Sequence, residues 1–488
     1  MCAATCTLAF ASAPSAAVAQ GADPGDVEVV QTNVDLSEHL THLPDLQFMS
    51  SPVAGGRVIR VNPGISYQRV GGFGAAMTDS SAWLIERELP AATRIALMNE
   101  LFGSDGIHLN FLRVPMGASD FTMNGEPYTY DDVPPGQSDP RLTHFSIAHD
   151  EAYILPALTQ ARALDPETEF LASPWSPPAW MKGNQSLGNP HNTGTLRASA
   201  YGPWAQYFVK FIEAYQRAGV PIAAITPQNE PTNPTLYPGL NFSAASEANW
   251  IVEDLQPALR QAGLSPKIYA DDWGWGQPAL SYATTTVSGP AARSFAGIAW
   301  HCYYGSPDVM TAMHRTDPGL DQIVDECSPG ITPIPVSEVV IASMRDWAGT
   351  VALWNLALDR SGGPAELPNH GCEGCSGVVT IDQQRGTVSL GRTYFQLGQA
   401  SMFVQSGAER ISSGHFVTYD YTRPGVNFIS SGLDDVAFKN PDGSIVLLAY
   451  DNSASPARFE VKWRGLSFKY TLPGRAMVTF DWNRPAAG

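Results

Sequence analysis

Two glutamates stand out by what surrounds them. In "AAITPQNEP" (Ala223–Pro231) an apolar run leads to Thr226-Pro227, and Glu230 then stands directly ahead of a second proline. In "DQIVDECSPG" (Asp321–Gly330) another apolar run ends on Glu326, 326 − 230 = 96 residues later. Pro231 cannot continue a strand ladder and biases the residue before it towards an extended backbone. Glu230 is therefore expected at a strand end, with Glu326 at the end of another strand. Two carboxyl groups that converge can cut a glycosidic bond, one as nucleophile and one as acid and then base, when about 5–5.5 Å apart. A lone strand-end acid is more commonly an ion-pair partner or a helix cap. Asp271 and Asp272 are read in that way.

The elements that must position such a pair follow from the apolar pattern. Between about Tyr67 and Trp354, eight short buried runs alternate with longer amphipathic ones. The runs are "RVGGFGAAM", "HLNFLRVPM", "EFLASPW", "AAITPQNEP", "KIYADDW", "GIAWHCYY", "QIVDEC" and "VALWNLA". Gly, Pro or Asp residues bound each of them, as expected for strands buried on both faces. Helical patterns follow the first, second, third, fourth and seventh. Ser243 is the expected N-cap of the fourth, and Gly219 and Gly263 are expected helix stops. The helices after strands five and six are the least marked.

Eight strand–helix units predict an α/β fold, a (β/α)8 TIM barrel, with its chemistry at the strands' C-terminal face. A doubly wound sheet is the alternative, but no Gly-rich phosphate turn follows the first strand. After about Gln405 the texture changes to period-two alternation. "VAFKNPDGSIVLLAY" reads as a hairpin turning at Asp442-Gly443, and "ARFEVKWRG", "FKYTLPG" and "AMVTFDW" continue it. "GRVIRVNPG" near the start could pair with these. The predicted organisation is 1–26 signal or tail, 27–66 strands joining an all-β side domain, 67–404 barrel, and 405–488 β-sandwich.

The predicted strand ends carry polar or aromatic residues: Asp79, Arg113, Trp175, Asn229 and Glu230, Asp271 to Trp273, His301 and Tyr303, Glu326, and Trp354 with Asn355. Strands four and seven of a barrel lie across it, so Glu230 and Glu326 could meet over its axis. Six of the 12 tryptophans (Trp175, Trp180, Trp273, Trp275, Trp300, Trp354) fall at or just beyond strand ends. Flat indoles suit the apolar faces of sugars and can still reach hydroxyls. Any one of them could equally be core.

The net charge of −18 argues against nucleic acid or an anionic membrane as partner. No run is apolar and long enough to span a membrane. Residues 1–26 are small and apolar, and Ala17-Val18-Ala19 resembles a signal cleavage site, though no Lys or Arg precedes Arg57. Secretion is the expectation. Cys302 and Cys327 sit in apolar runs and read as small packing residues. Cys372 and Cys375 in "NHGCEGCSG" read as a local disulfide, with a zinc half-site including His370 as the rival. No cofactor or metal is predicted.

"GFGAAMTDSSA", "NFLRVPMGASDF", "LASPWSPPAWMK", "YFVKFIEAY", "ITPQNEP", "WNLALDRSGGP" and "LGQASMFVQSGAERI" together resemble glycoside hydrolase family 30, in order from about Gly71 to Tyr450. The resemblance implies a barrel with a β-domain built from both chain ends, and retaining hydrolysis without metal. It implies Glu230 as acid/base, Glu326 as nucleophile, Asn229 on the sugar 2-OH, and Arg113 holding Glu326 ionised. It assigns Asp79, Trp175 and Trp354 to the innermost sugar subsite, and His301 and Tyr303 to the aromatic-rich sixth strand. Arg113 is expected to depress the proton affinity of Glu326, leaving Glu230 protonated as the acid. Family members cleave glucosylceramide, β-1,6-glucan or xylan. The motifs favour a β-glucoside of the glucosylceramidase type, with β-1,6-glucan next. Ala365-Glu366 and the "NHGCEGCSG" loop depart from the glucosylceramidase pattern beside the aglycone side. A sugar-binding protein without activity is the reading from another class, but it would have lost a carboxylate.

Overall fold

The computed structural model describes residues 25–50, 57–328, 334–365, 374–414 and 432–483, together with 372, 421, 422, 425 and 430. The signal reading of the first residues, the departure at Glu366 and the His370 zinc rival all fall outside this set.

Eight parallel strands close into a barrel. They are β1 (Gly72–Ala76), β2 (Phe111–Pro115), β3 (Glu169–Ser173), β4 (Ala224–Ile225), β5 (Lys267–Gly274), β6 (Gly297–His301), β7 (Asp321–Glu326) and β8 (Ala348–Asn355). All eight coincide with the predicted apolar runs. Phe111, Leu171, Ala224, Tyr269, Ala299, Ile323 and Ala352, one from each of seven strands, form an apolar cluster inside the barrel. In a barrel filled in this way the chemistry gathers at the C-terminal ends of the strands. Gly74 marks how tightly β1 meets β2, because a Cβ there would lie 1.6 Å from the Phe111 carbonyl oxygen.

The amphipathic segments form the outer ring: Ala91–Phe102, Ile154–Leu164, Tyr201–Arg217, Ala244–Trp250 running on to Gln261, and Val336–Arg345. The Ser243 hydroxyl caps the fourth by accepting from Ser246 N–H. Gly219 and Gly263 end their helices with φ of +88° and +71°, the left-handed conformation that glycine adopts without a Cβ clash. The weakly marked helices are also present, at Gln277–Thr286 and Asp308–Thr316. One that the periodicity did not single out, Arg392–Ser401, follows β8. Among the described residues no helix is long and apolar enough to cross a membrane.

A β-sandwich is built from both chain ends. Its larger sheet runs Thr41–Leu46, Val27–Thr32, Met477–Trp482, Ile445–Asp451, Leu433–Lys439, Glu409–Ser412 and Asn62–Arg69. The smaller sheet runs Leu466–Leu472, Ala457–Trp463 and Arg57–Arg60. Phe459, Phe468, Phe480, Trp463 and Trp482 fill the space between them. "GRVIRVNPG" does pair with the C-terminal strands, Arg57–Arg60 in parallel with Phe459–Lys462.

Cys302 and Cys327 are not simple packing residues. They form a buried disulfide that joins the residue after His301 to the residue after Glu326. Cys372 and Cys375 are disulfide-linked, as expected.

Candidate active site

A cavity of about 350 Å³ opens at the C-terminal end of the barrel, lined by Asp120, Trp175, Asn229, Glu230, Asn233, Tyr237, Trp273, Tyr303, Tyr304, Glu326, Trp354 and Cys372. Glu230 and Glu326 converge in it. One oxygen of each lies within 4.8 Å of the other and of a His301 ring nitrogen.

Glu230 is not held in the way its sequence suggests. β4 ends at Ile225, and Glu230 lies five residues beyond it with φ of +44°, not in an extended conformation. Pro231 acts differently. It occupies the second position of a turn closed by Asn233 N–H to Glu230 C=O at 2.9 Å, the position proline favours. Glu230 N–H donates to the Asp272 carbonyl at 2.9 Å, which fixes the left-handed residue against β5. A non-glycine residue in that region costs on the order of 1–3 kcal/mol, so the surroundings must impose it. The carboxylate receives Asn233 Nδ2 at 2.6 Å on Oε2, and its Oε1 lies 3.1 Å from His301 Nδ1.

Arg113, wholly buried, organises the floor. Its guanidinium reaches Glu326 Oε2 at 2.5 Å, Asp272 Oδ1 at 2.7 Å, Asn229 Oδ1 at 2.8 Å, Asp325 Oδ2 at 2.9 Å and Ser173 Oγ at 3.3 Å. The fixed fork of a guanidinium can serve several acceptors at once where an ammonium could not. Its Cζ also lies 4.8 Å from the ring centroid of Trp175, which stacks on Trp354 at 5.1 Å. The Tyr303 hydroxyl donates to Glu326 Oε1 at 2.8 Å.

Burial pushes the Glu326 carboxyl up from its ordinary range, while His301 and Arg113 pull it down. The upward effect wins, so the expected depression by Arg113 is not what the structure gives. Desolvation opposes charge on His301 too, but Glu326, Asp272 and Glu230 around it raise its proton affinity well above the usual imidazole value. Asp272 is held low by Arg113 and His301 against its own burial, whereas buried Asp325 is pushed up.

Three predicted substrate-binding residues, Asp79, His301 and the floor residue Arg113, are set back from the cavity wall. Asp79 does not line the cavity. It accepts from Met123 N–H, the Tyr153 hydroxyl and His149 Nε2 at 2.6–2.8 Å, an internal network. Asp120, inside the "NFLRVPMGASDF" motif, stands on the cavity wall instead. His301 is fully buried beneath the carboxylates and bonds Asp272 Oδ1 at 2.8 Å, so it supports the site without facing the cavity. Among the six rim tryptophans, Trp175, Trp273 and Trp354 line the cavity. Trp275 and Trp300 are core, and the Trp180 indole donates to Asp131.

Three residues share one local feature: Trp354, expected in the sugar subsite, Asp272, read as an ion-pair partner, and Asp325, which the sequence did not single out. Asp272, Asp325 and Trp354 are each skipped in the pairing of adjacent barrel strands: Ala299 and Trp300 face Asp271 and Trp273, Trp300 and His301 face Val324 and Glu326, and Ala75 and Ala76 face Leu353 and Asn355. A bulge re-aims one side chain that simple alternation would turn the other way.

Residues 70–385 match the glycosyl hydrolase family 30 TIM-barrel domain, and residues 407–480 match the family 30 β-sandwich domain. The chain belongs to glycosyl hydrolase family 30. Family 30 relatives include an endo-1,6-β-D-glucanase of Neurospora crassa, 35% identical over 435 residues covering 86% of each chain. A Trichoderma harzianum endo-1,6-β-D-glucanase is 36% identical, over 77% of this chain and 76% of that one. The lysosomal acid glucosylceramidase of Mus musculus is 29% identical, over 88% and 84%. The solved structure of an endo-β-1,6-glucanase superposes with a TM-score of 0.81 at 27% identity, covering 94% of this chain and all of that one. The chain is a glycoside hydrolase, as its motifs implied.

Buried acids give this family 30 fold a definite pH response. Burial raises Glu247 to about 8 and Asp150 and Asp346 to about 6. Unfolded, they titrate near 4, so between pH 4 and their folded values the folded chain holds more protons. Stability must then fall as pH rises. His301, raised in the fold, adds to the same trend above its unfolded value. We expect the thermal midpoint to be higher at pH 5 than at pH 7.5, read by differential scanning calorimetry. A midpoint that rises over that window would contradict the assignment.

Proposed function

We propose that the enzyme is a retaining β-glucanase acting on β-1,6-linked glucose, with Glu326 as nucleophile and Glu230 as acid/base. The convergence of these two carboxylates in one aromatic-walled cavity carries the reading. Oxygens within 4.8 Å of each other suit the shorter spacing of retaining enzymes, not the 6.5–9.5 Å that leaves room for water between the groups.

In the first step a Glu326 oxygen attacks C1 of the sugar. The C1–O bond to the leaving group breaks, and Glu230 gives that oxygen its proton. In the second step Glu230, now ionised, takes a proton from water. The water oxygen bonds to C1, and the Glu326–C1 ester bond breaks with its electron pair returning to the carboxylate. Arg113 and Tyr303 hold Glu326 in line throughout and take up its regenerated charge. In this reading Trp175 and Trp354 carry a sugar face and Asn229 meets a hydroxyl near C1, which is supported by all three lining the cavity.

The substrate order reverses the one favoured by the motifs. It is supported by relatives named as endo-1,6-β-D-glucanases at 35% and 36% identity, against 29% for the glucosylceramidase. Cys372, whose disulfide loop departs from the glucosylceramidase pattern, stands on the cavity wall. The test is a panel of β-1,6-linked glucan, glucosylceramide in mixed micelles and an aryl β-glucoside. Release of short β-1,6-linked oligosaccharides from the polymer is expected. Cleavage of glucosylceramide with the polymer untouched would replace this substrate, and no cleavage of either would remove both. Export belongs to the same proposal and is supported by two disulfides, which persist in oxidising compartments.

A further inference from the structure

Glu230 has a partner that neither its strand nor its motif announces. Asn233 lines the cavity, and its side-chain amide donates to Glu230 Oε2 at 2.6 Å while His301 Nδ1 takes Oε1 at 3.1 Å. Both oxygens of the carboxylate are thereby tethered, each by a different residue. The tether is built into the backbone, since Glu230 and Asn233 are the two ends of the turn around Pro231. Asn233 is itself fixed from behind: buried Asn189 donates through Nδ2 to the Asn233 carbonyl at 2.8 Å. Its amide also lies 3.5 Å from the Tyr237 hydroxyl, on the same wall of the cavity.

We infer that Asn233 is a positioning residue for proton transfer by Glu230. It holds the carboxyl plane towards the leaving oxygen and not towards Glu326. The inference rests on the reading of Glu230 as acid/base. The other charged or titratable groups near this carboxyl are His301 on β6, Glu326 on β7, Tyr303 and Tyr304 beyond β6, Asp272 and Arg113 on the floor and Asp120 on the wall. None of these touches Oε2 by a hydrogen bond found among the described residues, so losing Asn233 frees that oxygen.

General acid catalysis contributes about 10²–10⁴-fold, and it matters most when the leaving group is poor. A β-1,6-linked glucose leaves as an alkoxide unless protonated, whereas dinitrophenolate leaves unaided. Asn233→Ala and the equal-sized Asn233→Asp are therefore expected to lose about 10²-fold in kcat/KM on a β-1,6-linked disaccharide. On dinitrophenyl β-glucoside both are expected to stay within about threefold of the unchanged enzyme. Equal losses on the two substrates would mean a merely structural role, and no loss on either would mean no role; each overturns the inference. Glu230→Gln run beside them separates the two levels. If it keeps activity on the disaccharide, the acid/base reading itself fails. If it loses that activity while the Asn233 variants do not, only the positioning inference falls.

Discussion

Glu326→Gln is expected to lower turnover of an aryl β-glucoside by at least about 10⁴-fold, equivalent to about 5 kcal/mol of barrier. The substitution keeps the shape of the side chain and removes the oxygen nucleophile. The chain around it should stay folded, because burial already works against charge at this position and Asp272 still engages Arg113. Steady-state rates with a thermal melt in parallel check both halves. Activity within tenfold of the unchanged enzyme would mean another group attacks the sugar. Loss of activity together with loss of the melt would leave the chemistry untested, so Glu326→Asp, which retains a carboxylate on a shorter arm, is the companion variant. It should fold and recover only a small part of the rate.

Arg113→Met is expected to be the most damaging single change to the floor of the site. Removing one partner of a buried ion pair typically costs about 3–5 kcal/mol, because the remaining charge is left uncompensated. Here Asp272 and Glu326 both lose the guanidinium and keep only His301 as a cationic neighbour. Arg113→Lys should recover little, since one ammonium cannot reach Ser173, Asn229, Asp272, Asp325 and Glu326 together. Urea unfolding gives the stability change, and kcat on the aryl glucoside should fall by well over 10²-fold in either variant that folds. A stable, active Arg113→Lys enzyme would show that charge alone suffices and that the fork geometry is unimportant.

The barrel was legible because strands buried on both faces must be apolar throughout, and each such run ends where loops begin. The two glutamates were legible for a related reason: a carboxylate at the end of an apolar run needs a purpose. Their local geometry was not. Pro231 read as a constraint on Glu230, but it initiates the turn that brings Asn233 back to it, and Asp272 imposes a backbone that the proline alone would disfavour. Pairwise contacts between distant strands decide such details. The proton affinity of Glu326 shows the same limit. The cationic neighbour was foreseeable from Arg113, but the depth of burial that outweighs it belongs to the assembled fold. Asp79 follows β1 and Asp120 follows β2, and only the folded chain separates the one tied to His149 and Tyr153 from the one facing the cavity. The Cys302–Cys327 bridge was hidden because each cysteine sits in a run that reads as simple packing.

The most direct test of the account is to trap the glycosyl-enzyme. The protein would be incubated with a 2-deoxy-2-fluoro-β-glucoside carrying a good leaving group, digested, and its peptides sequenced by mass spectrometry. The account predicts one fluoroglucosyl unit per chain, on Glu326, with product from ordinary substrate released first as the β-anomer. A label on any other residue, or first product of inverted configuration, would contradict it.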